Sequence, residues 1–206
     1  MADPTHVNHL KRGATHWNKW RKRHPRIELN FNGADCRACE LQKAQLRQSD
    51  LHNNDLIWAD LSHADLTQAN LSKASLRKAD FSGASMPGAN LMETDARSAN
   101  FSQAVLTKAA LTYANLQEAT LIGANLHQAN LIHADLTQAI LIQANLQAAD
   151  LSGADLSGAN LNKANLQGAD LRGVSFTAAN FTGAYLRDAQ LDEACRSYIV
   201  AAGGML

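Results

Sequence analysis

Three kinds of side chain in this chain have types that could do chemistry. Cys36 and Cys39 form a C-x-x-C pair, and Cys195 stands far away in sequence. Such a pair suits zinc or thiol redox chemistry, but a structural zinc takes four ligands and no second pair occurs. Eight histidines are present, yet no H-x-x-x-H or H-E-x-x-H spacing appears among them. His6, His9, His16 and His24 lie near the N-terminus, and His52, His63, His127 and His133 are expected to face solvent. Aspartates are frequent, but Asp60, Asp65, Asp150, Asp155 and Asp170 recur at one place in a repeat. Catalytic carboxylates need a unique site that shifts their pKa values, and a repeated solvated row offers none. No Gly-rich phosphate loop or Ser elbow is present. The expectation is therefore no enzyme, no catalytic residue, no cofactor and no metal.

What positions these side chains is a repeat. From Phe31 to Leu191 every fifth residue is Leu, Phe or another apolar group, over 33 centres without insertion or deletion. Only Cys36, Met86 and Ala96 depart from Leu or Phe. Two residues before each centre stands Ala, with Leu29, Cys39, Ser49, Asn54, Thr94 and Val174 as exceptions. Between the two sits Asp or Asn in most units. An α-helix turns about 100° per residue, so five residues rotate roughly 140° and the leucines would spiral round the whole surface. In a flat strand, Ala and Leu two apart share a face, but the next Ala is three residues on and points the wrong way. The chain must turn a corner at the two residues after each centre. Repeated corners wind it into a coil with Ala and Leu inside, and both cysteines of the pair fall on inward positions, where free Cys packs as a small hydrophobe.

Units such as Ala154, Asp155, Leu156, Ser157 and Gly158 resemble the A(D/N)LXX units of the pentapeptide-repeat family. The resemblance implies an all-β fold, a right-handed quadrilateral parallel β-helix with four repeats per coil, and hence about eight coils here. Spacing alone yields corners but not their number. The domain reading is a basic helical cap over 1–28, the β-helix over 29–195, and a C-terminal tail or cap over 196–206. Asp3-Pro4 reads as a helix start, Gly13 as its end, and Thr15 as the cap of a second helix that stops before Pro25. Val7, Leu10, Ala14, Trp17 and Trp20 would form its inner face. The W-N-x-W-R segment at Trp17–Arg21 resembles cyanobacterial family members, which suggests a bacterial source.

Charge is unevenly spread. Residues 1–28 hold seven basic and two acidic side chains, a net of +5, and the remainder nets −5. The first residues lack the apolar stretch of a signal peptide, and no run of about 18 apolar residues could span a membrane. Few cysteines and no export signal fit a cytoplasmic, reducing location. Placed on a 20-residue coil, Ile122, Ile140 and Ile142 fall on one face, and Ile57 with Trp58 makes a second apolar spot. These are candidate protein-binding residues. Asp135, Asp150, Asp155 and Asp170 are the candidate acidic surface of a DNA mimic. Some family members mimic DNA and act on DNA gyrase, a type II topoisomerase. A duplex carries about 24 charges over ~40 Å, far more than this body. The leading expectation is a non-enzymatic interaction scaffold or regulator with an unknown protein partner. The alternative is a gyrase inhibitor or protector, and the third is nucleic-acid binding by the basic cap, which is disfavoured. The C-terminal end is a candidate homodimer contact.

Overall fold

A computed structural model describes residues 2–205. Two short helices, α1 (Pro4–Lys11) and α2 (Ala14–Arg23), precede a long coil, and α3 (Glu193–Ala201) follows it. No helix lies between Arg23 and Glu193. Parallel bridges join each residue before a centre to its equivalent 20 residues on, from Asn30↔Asp50 to Asp170↔Gln190. Five residues per side and 20 per coil make four sides. At strand spacings of about 4.8 Å, eight coils give a rod roughly 40 Å long.

The unit around Leu61 shows why this sequence repeats. The Ala59 N–H donates to Leu56 O across the corner at 3.0 Å, and Asp60 N–H donates to Cys39 O in the coil below, also at 3.0 Å. Leu61 and His63 donate to Asp80 O and Ser82 O in the coil above, at 2.7 and 2.8 Å. The fifth donor, Ser62 N–H, meets the Asp60 carboxylate at 2.9 Å. Every backbone donor of the unit thus has an acceptor. The Asp or Asn of the consensus is therefore a corner closure, not a reagent. Asn performs the same task, as at Asn100, which accepts from Ser102 N–H at 3.0 Å. Asn also ladders between coils, as where Asn145 donates to Asn125 at 3.2 Å.

All centres are buried except Phe176 and Leu191, which are half-buried near the C-terminal end. Three polar residues sit at inward positions, and each donates to a backbone carbonyl. Ser49 and Thr94 hydroxyls donate to Leu46 O and Leu91 O, at 2.6 and 2.8 Å. Asn54 donates to Phe31 O at 2.6 Å, while its own side-chain oxygen has no partner. The expected pairing of Phe81 with Phe101 is present, with rings parallel to within 4° and centroids 5.0 Å apart.

The second residue of each corner has positive φ, at nine glycines and 23 other residues between Gly33 and Asp188. Positive φ at that place alone marks a type II turn. A side chain there is strained by roughly 1–2 kcal/mol, and glycine removes the strain at an entropic cost of about 0.5–1 kcal/mol. Ala148 has φ 54 and is exposed, so its methyl group packs little. Ala148→Gly is expected to stabilise the rod by about 0.5–1 kcal/mol in urea denaturation. A loss of stability of that size would show that the corners are not strained.

The N-terminal helices cover the first coil's open edge. Asp3 caps α1, accepting from Thr5 N–H at 2.8 Å and His6 N–H at 3.4 Å. Thr15 does not cap α2. Gly13 does, at φ 87 with no side-chain bond, because a glycine can reverse the chain between two helices with no connecting loop. Leu10 and Trp17 are buried, and Val7, Ala14 and Trp20 pack partly against the core. At the other end, α3 buries Cys195 and Ile199, and Met205 pairs with Tyr185. The helix begins at Glu193, so it overlaps the last residues read as coil from sequence.

Candidate interaction surface

Outward side chains take three positions in each unit, and the coil stacking decides their exposure. The residue just after a centre is flanked above and below by its equivalents and is half-buried in most units. The next residue, with positive φ, projects outward. Ile57, Ile122 and Ile142 are of the first kind, and Ile140 precedes a centre. All four are half-buried, so Ile122, Ile140 and Ile142 form a partly covered seam and not the open patch expected, while Ile57 lies on another side of the coil. Trp58 is of the second kind and 61% exposed. Lys78 sits over its ring, with Nζ 4.5 Å from the centroid, a cation–π contact.

Ile122, Ile140 and Ile142 do come together, since Thr120 bridges Ile140 and Gly123 N–H donates to Ile142 O at 2.9 Å. Val105 joins this region from the adjoining side, where it bridges Asn125 and is 38% exposed. A second strip was missed from sequence. Tyr113, 59% exposed, stacks on His133 at 5.2 Å, beside Met92 and Ile132. Writing the chain in columns of 20 would have found it, since Tyr113 and His133 share a column.

The four proposed acidic residues occupy two adjoining sides. Asp135 bridges Asp155 on one, and Asp150 bridges Asp170 on the other. Each accepts the corner N–H two residues on, at 2.9 to 3.1 Å. Arg172 forks onto Asp170, and this bond holds the carboxyl below its ordinary pKa. Further down the rod, Arg37 binds Asp35 and approaches Asp55, and Arg77 and Arg97 converge on Asp95. Ion pairing thus lowers an already modest charge density.

The histidines divide. His63 and His133 are exposed, but His52 and His127 are half-buried, because they follow centres directly. His6 is buried under the cap. His9 and His16 share a hydrogen bond at 2.8 Å and stack, and Trp20 lies between His9 and His24. Burial, with Arg12 nearby, pushes the His16 pKa down. No group of three or more potential metal ligands occurs among the described residues. Of the basic run, Arg21 is structural, donating to His24 O and Ile27 O at 2.9 and 2.7 Å. Lys19, Lys22, Arg23 and Arg26 are exposed. Lys22 and Arg23 end α2, where cations offset the helix dipole.

Cys36 is buried, but Cys39 is only half-buried, contrary to the expectation that both pack inside. It opens on a cleft of about 770 Å³ lined by Lys11, Arg12, Asp35 and Arg37 among others. No helix of the described residues is long and apolar enough to cross a membrane.

No curated protein sequence matches the chain. Among solved structures, HetL of the cyanobacterium Nostoc sp. strain PCC 7120, a pentapeptide repeat protein involved in heterocyst differentiation regulation, is 34% identical. That match covers 80% of this chain and 85% of HetL, with a TM-score of 0.46. AT2G44920, a pentapeptide repeat protein of the Arabidopsis thaliana thylakoid lumen, is 36% identical over 54% of this chain and 77% of its own, with a TM-score of 0.53. QnrB1, a plasmid-mediated fluoroquinolone resistance protein, is 21% identical over 85% of this chain and 96% of its own, with a TM-score of 0.43. The family model for pentapeptide repeats matches in eight copies, in segments running from residue 30 to residue 195. The same span carries the 20-residue bridges, and the chain belongs to the pentapeptide-repeat family.

Proposed function

We propose that this protein is a non-enzymatic interaction scaffold or regulator, its coil right-handed as in the family. In this reading it presents the seam of Ile122, Ile140 and Ile142, extended by Val105, to a protein partner. One observation carries the choice of seam. In most units an Asp or Asn before the centre closes the corner. Exceptions elsewhere include Ser75 and Ala110, which leave Arg77 N–H and Thr112 N–H without an acceptor among the described residues but do not bring large apolar side chains together. Ile140 and Thr120 stand at that place, and neither Ile142 N–H nor Ile122 N–H has an acceptor among the described residues. Val105 likewise leaves Thr107 N–H without one. Apolar surface has replaced a stabilising bond at neighbouring corners of adjacent coils. Departures of this kind from local consistency are expected at functional sites.

The test follows from that exchange. Ile140→Asn restores the corner bond, and is expected to stabilise the rod by about 0.5–1.5 kcal/mol. Together with Ile122→Thr and Ile142→Thr it is expected to abolish capture of a partner by the immobilised protein. Replacing Asp135, Asp150, Asp155 and Asp170 with Asn keeps every corner bond and should leave that capture unchanged. If the Asn variant loses the partner and the Ile variant keeps it, the acidic surface is the binding site. Inhibition of gyrase supercoiling by the purified protein, abolished by the four Asn substitutions, would favour the mimic reading.

A further inference from the structure

The C-x-x-C pair is not explained by packing alone. Cys36 and Cys39 are the first and fourth residues of one corner, joined by the Cys39 N–H to Cys36 O bond at 3.2 Å. A four-residue turn brings its end Cα atoms within about 7 Å, close to the span a disulfide bridges. Hydrogen bonds from the cap to the first coil's edge go to Asn30, Glu40, Lys43 and Gln45, and none reaches residues 31–39. The edge at Cys39 is therefore open to the cleft. Arg37 is engaged by Asp35 and Asp55, which leaves Lys11 and Arg12 facing Glu40 on the rim.

We propose that Cys36 and Cys39 are a redox-active dithiol that closes to a disulfide by exchange with a low-molecular-weight disulfide entering this cleft. Cys39 is the attacking thiol. The neighbouring Cys36 thiol, opposed by partial burial and helped by Lys11, brings Cys39 down to about 7, whereas Cys36 is pushed well above the ordinary range. The Cys39 thiolate attacks one sulfur of the small disulfide, whose S–S bond breaks and releases one thiol on protonation. Cys36 then loses its proton as it attacks the Cys39 sulfur and displaces the second thiol. The protein loses two protons and two electrons, which together reduce one small disulfide to two thiols. Cys195 is the internal control, since it is buried on the inner face of α3 without a neighbouring thiol.

The experiment incubates the full chain with excess glutathione disulfide at pH 7 and reads intact mass and a peptide map. The expected product has lost two hydrogens, joins Cys36 to Cys39, and reverts with dithiothreitol. Cys39→Ala restores the usual residue of that position and should prevent the reaction. Cys36→Ala, a residue that the rod already tolerates at centre Ala96, should trap one glutathione on Cys39. In the reduced wild type, iodoacetamide should label Cys39 on the order of tenfold faster than Cys195. A wild type that stays unmodified overturns the proposal. So does one that retains glutathione on Cys39 unresolved, or a Cys36→Ala variant that remains unlabelled.

Discussion

Deletion of residues 1–28 is expected to turn the rod into an aggregating species whose first coil frays, in high salt as well as low. The removed segment does more than shield. Asp3 N–H meets Asn30 O at 3.0 Å, and Ala14 N–H meets Glu40 O at 3.1 Å. Trp17 Nε1 donates to Gln45 O at 2.8 Å, and Asn18 both donates to Lys43 O and accepts from Gln45 N–H. Apart from the bond to Lys43 O, these are the pairings that a preceding coil would make. Without them the edge is a template for another chain, and Leu29 and Phe31 lose their cover. A solenoid draws stability from nearest-neighbour contacts, so a frayed terminal coil weakens the next. Trp17→Ala isolates the packing component and is expected to cost about 3–5 kcal/mol. Lys19, Lys22 and Arg23 changed together to Gln should shift stability by only about 0.5 kcal/mol for each exposed site. Light scattering and urea denaturation of the three variants decide the matter. A truncated chain as stable as the full one would make residues 1–28 a functional tail, and the exposed basic residues its working part.

The period of five made the inward set legible, because no other backbone keeps Ala and Leu on one side at steps of two and three. The number of sides was not legible. It depends on hydrogen bonds such as Leu61 N–H to Asp80 O, between residues 19 apart, which no five-residue pattern encodes. Exposure was misread at Ile57, Ile122 and Ile142 for a related reason. Both corner residues are outside the core, but only the second, at positive φ, leaves the stack. Trp58 and Tyr113 project there, whereas an isoleucine one residue earlier lies between neighbouring coils. The consensus Asp hid its own role until its bond to the corner N–H was visible. That bond then marked Ile140 as an exception with a cost. Thr15 was a reasonable helix start by type, but the two helices abut so closely that Gly13, at φ 87, took the position. The half-exposure of Cys39 depended on where the cap ends, which its inward repeat position did not reveal.

Phe101→Ala is expected to cost about 3–5 kcal/mol, among the larger effects of single substitutions inside the coils. Its ring lies parallel to that of Phe81, and both are fully buried. Offset or stacked aromatic pairs add about 0.5–1.5 kcal/mol to area burial. The surroundings are the reason that the site matters. In the same coil, Ala96 is the centre of the preceding side, where its column neighbours Leu76 and Leu116 present larger side chains. Thr94 stands at the inward position before it and spends its hydroxyl on Leu91 O. This coil therefore has less aliphatic volume than those on either side, and the Phe101 ring on the adjoining side is the bulkiest group next to Ala96 in the chain to fill it. Two further variants separate volume from stacking. Phe101→Leu restores the usual residue and should cost under about 1.5 kcal/mol if volume dominates. Ala96→Leu should destabilise the wild type by about 1–3 kcal/mol through overpacking, yet recover part of the loss in the Phe101→Ala background. Additive effects of Ala96→Leu and Phe101→Ala would mean that the rings do not fill the space beside Ala96. A cost for Phe101→Ala below about 1 kcal/mol would mean that the phenyl is not packed at all.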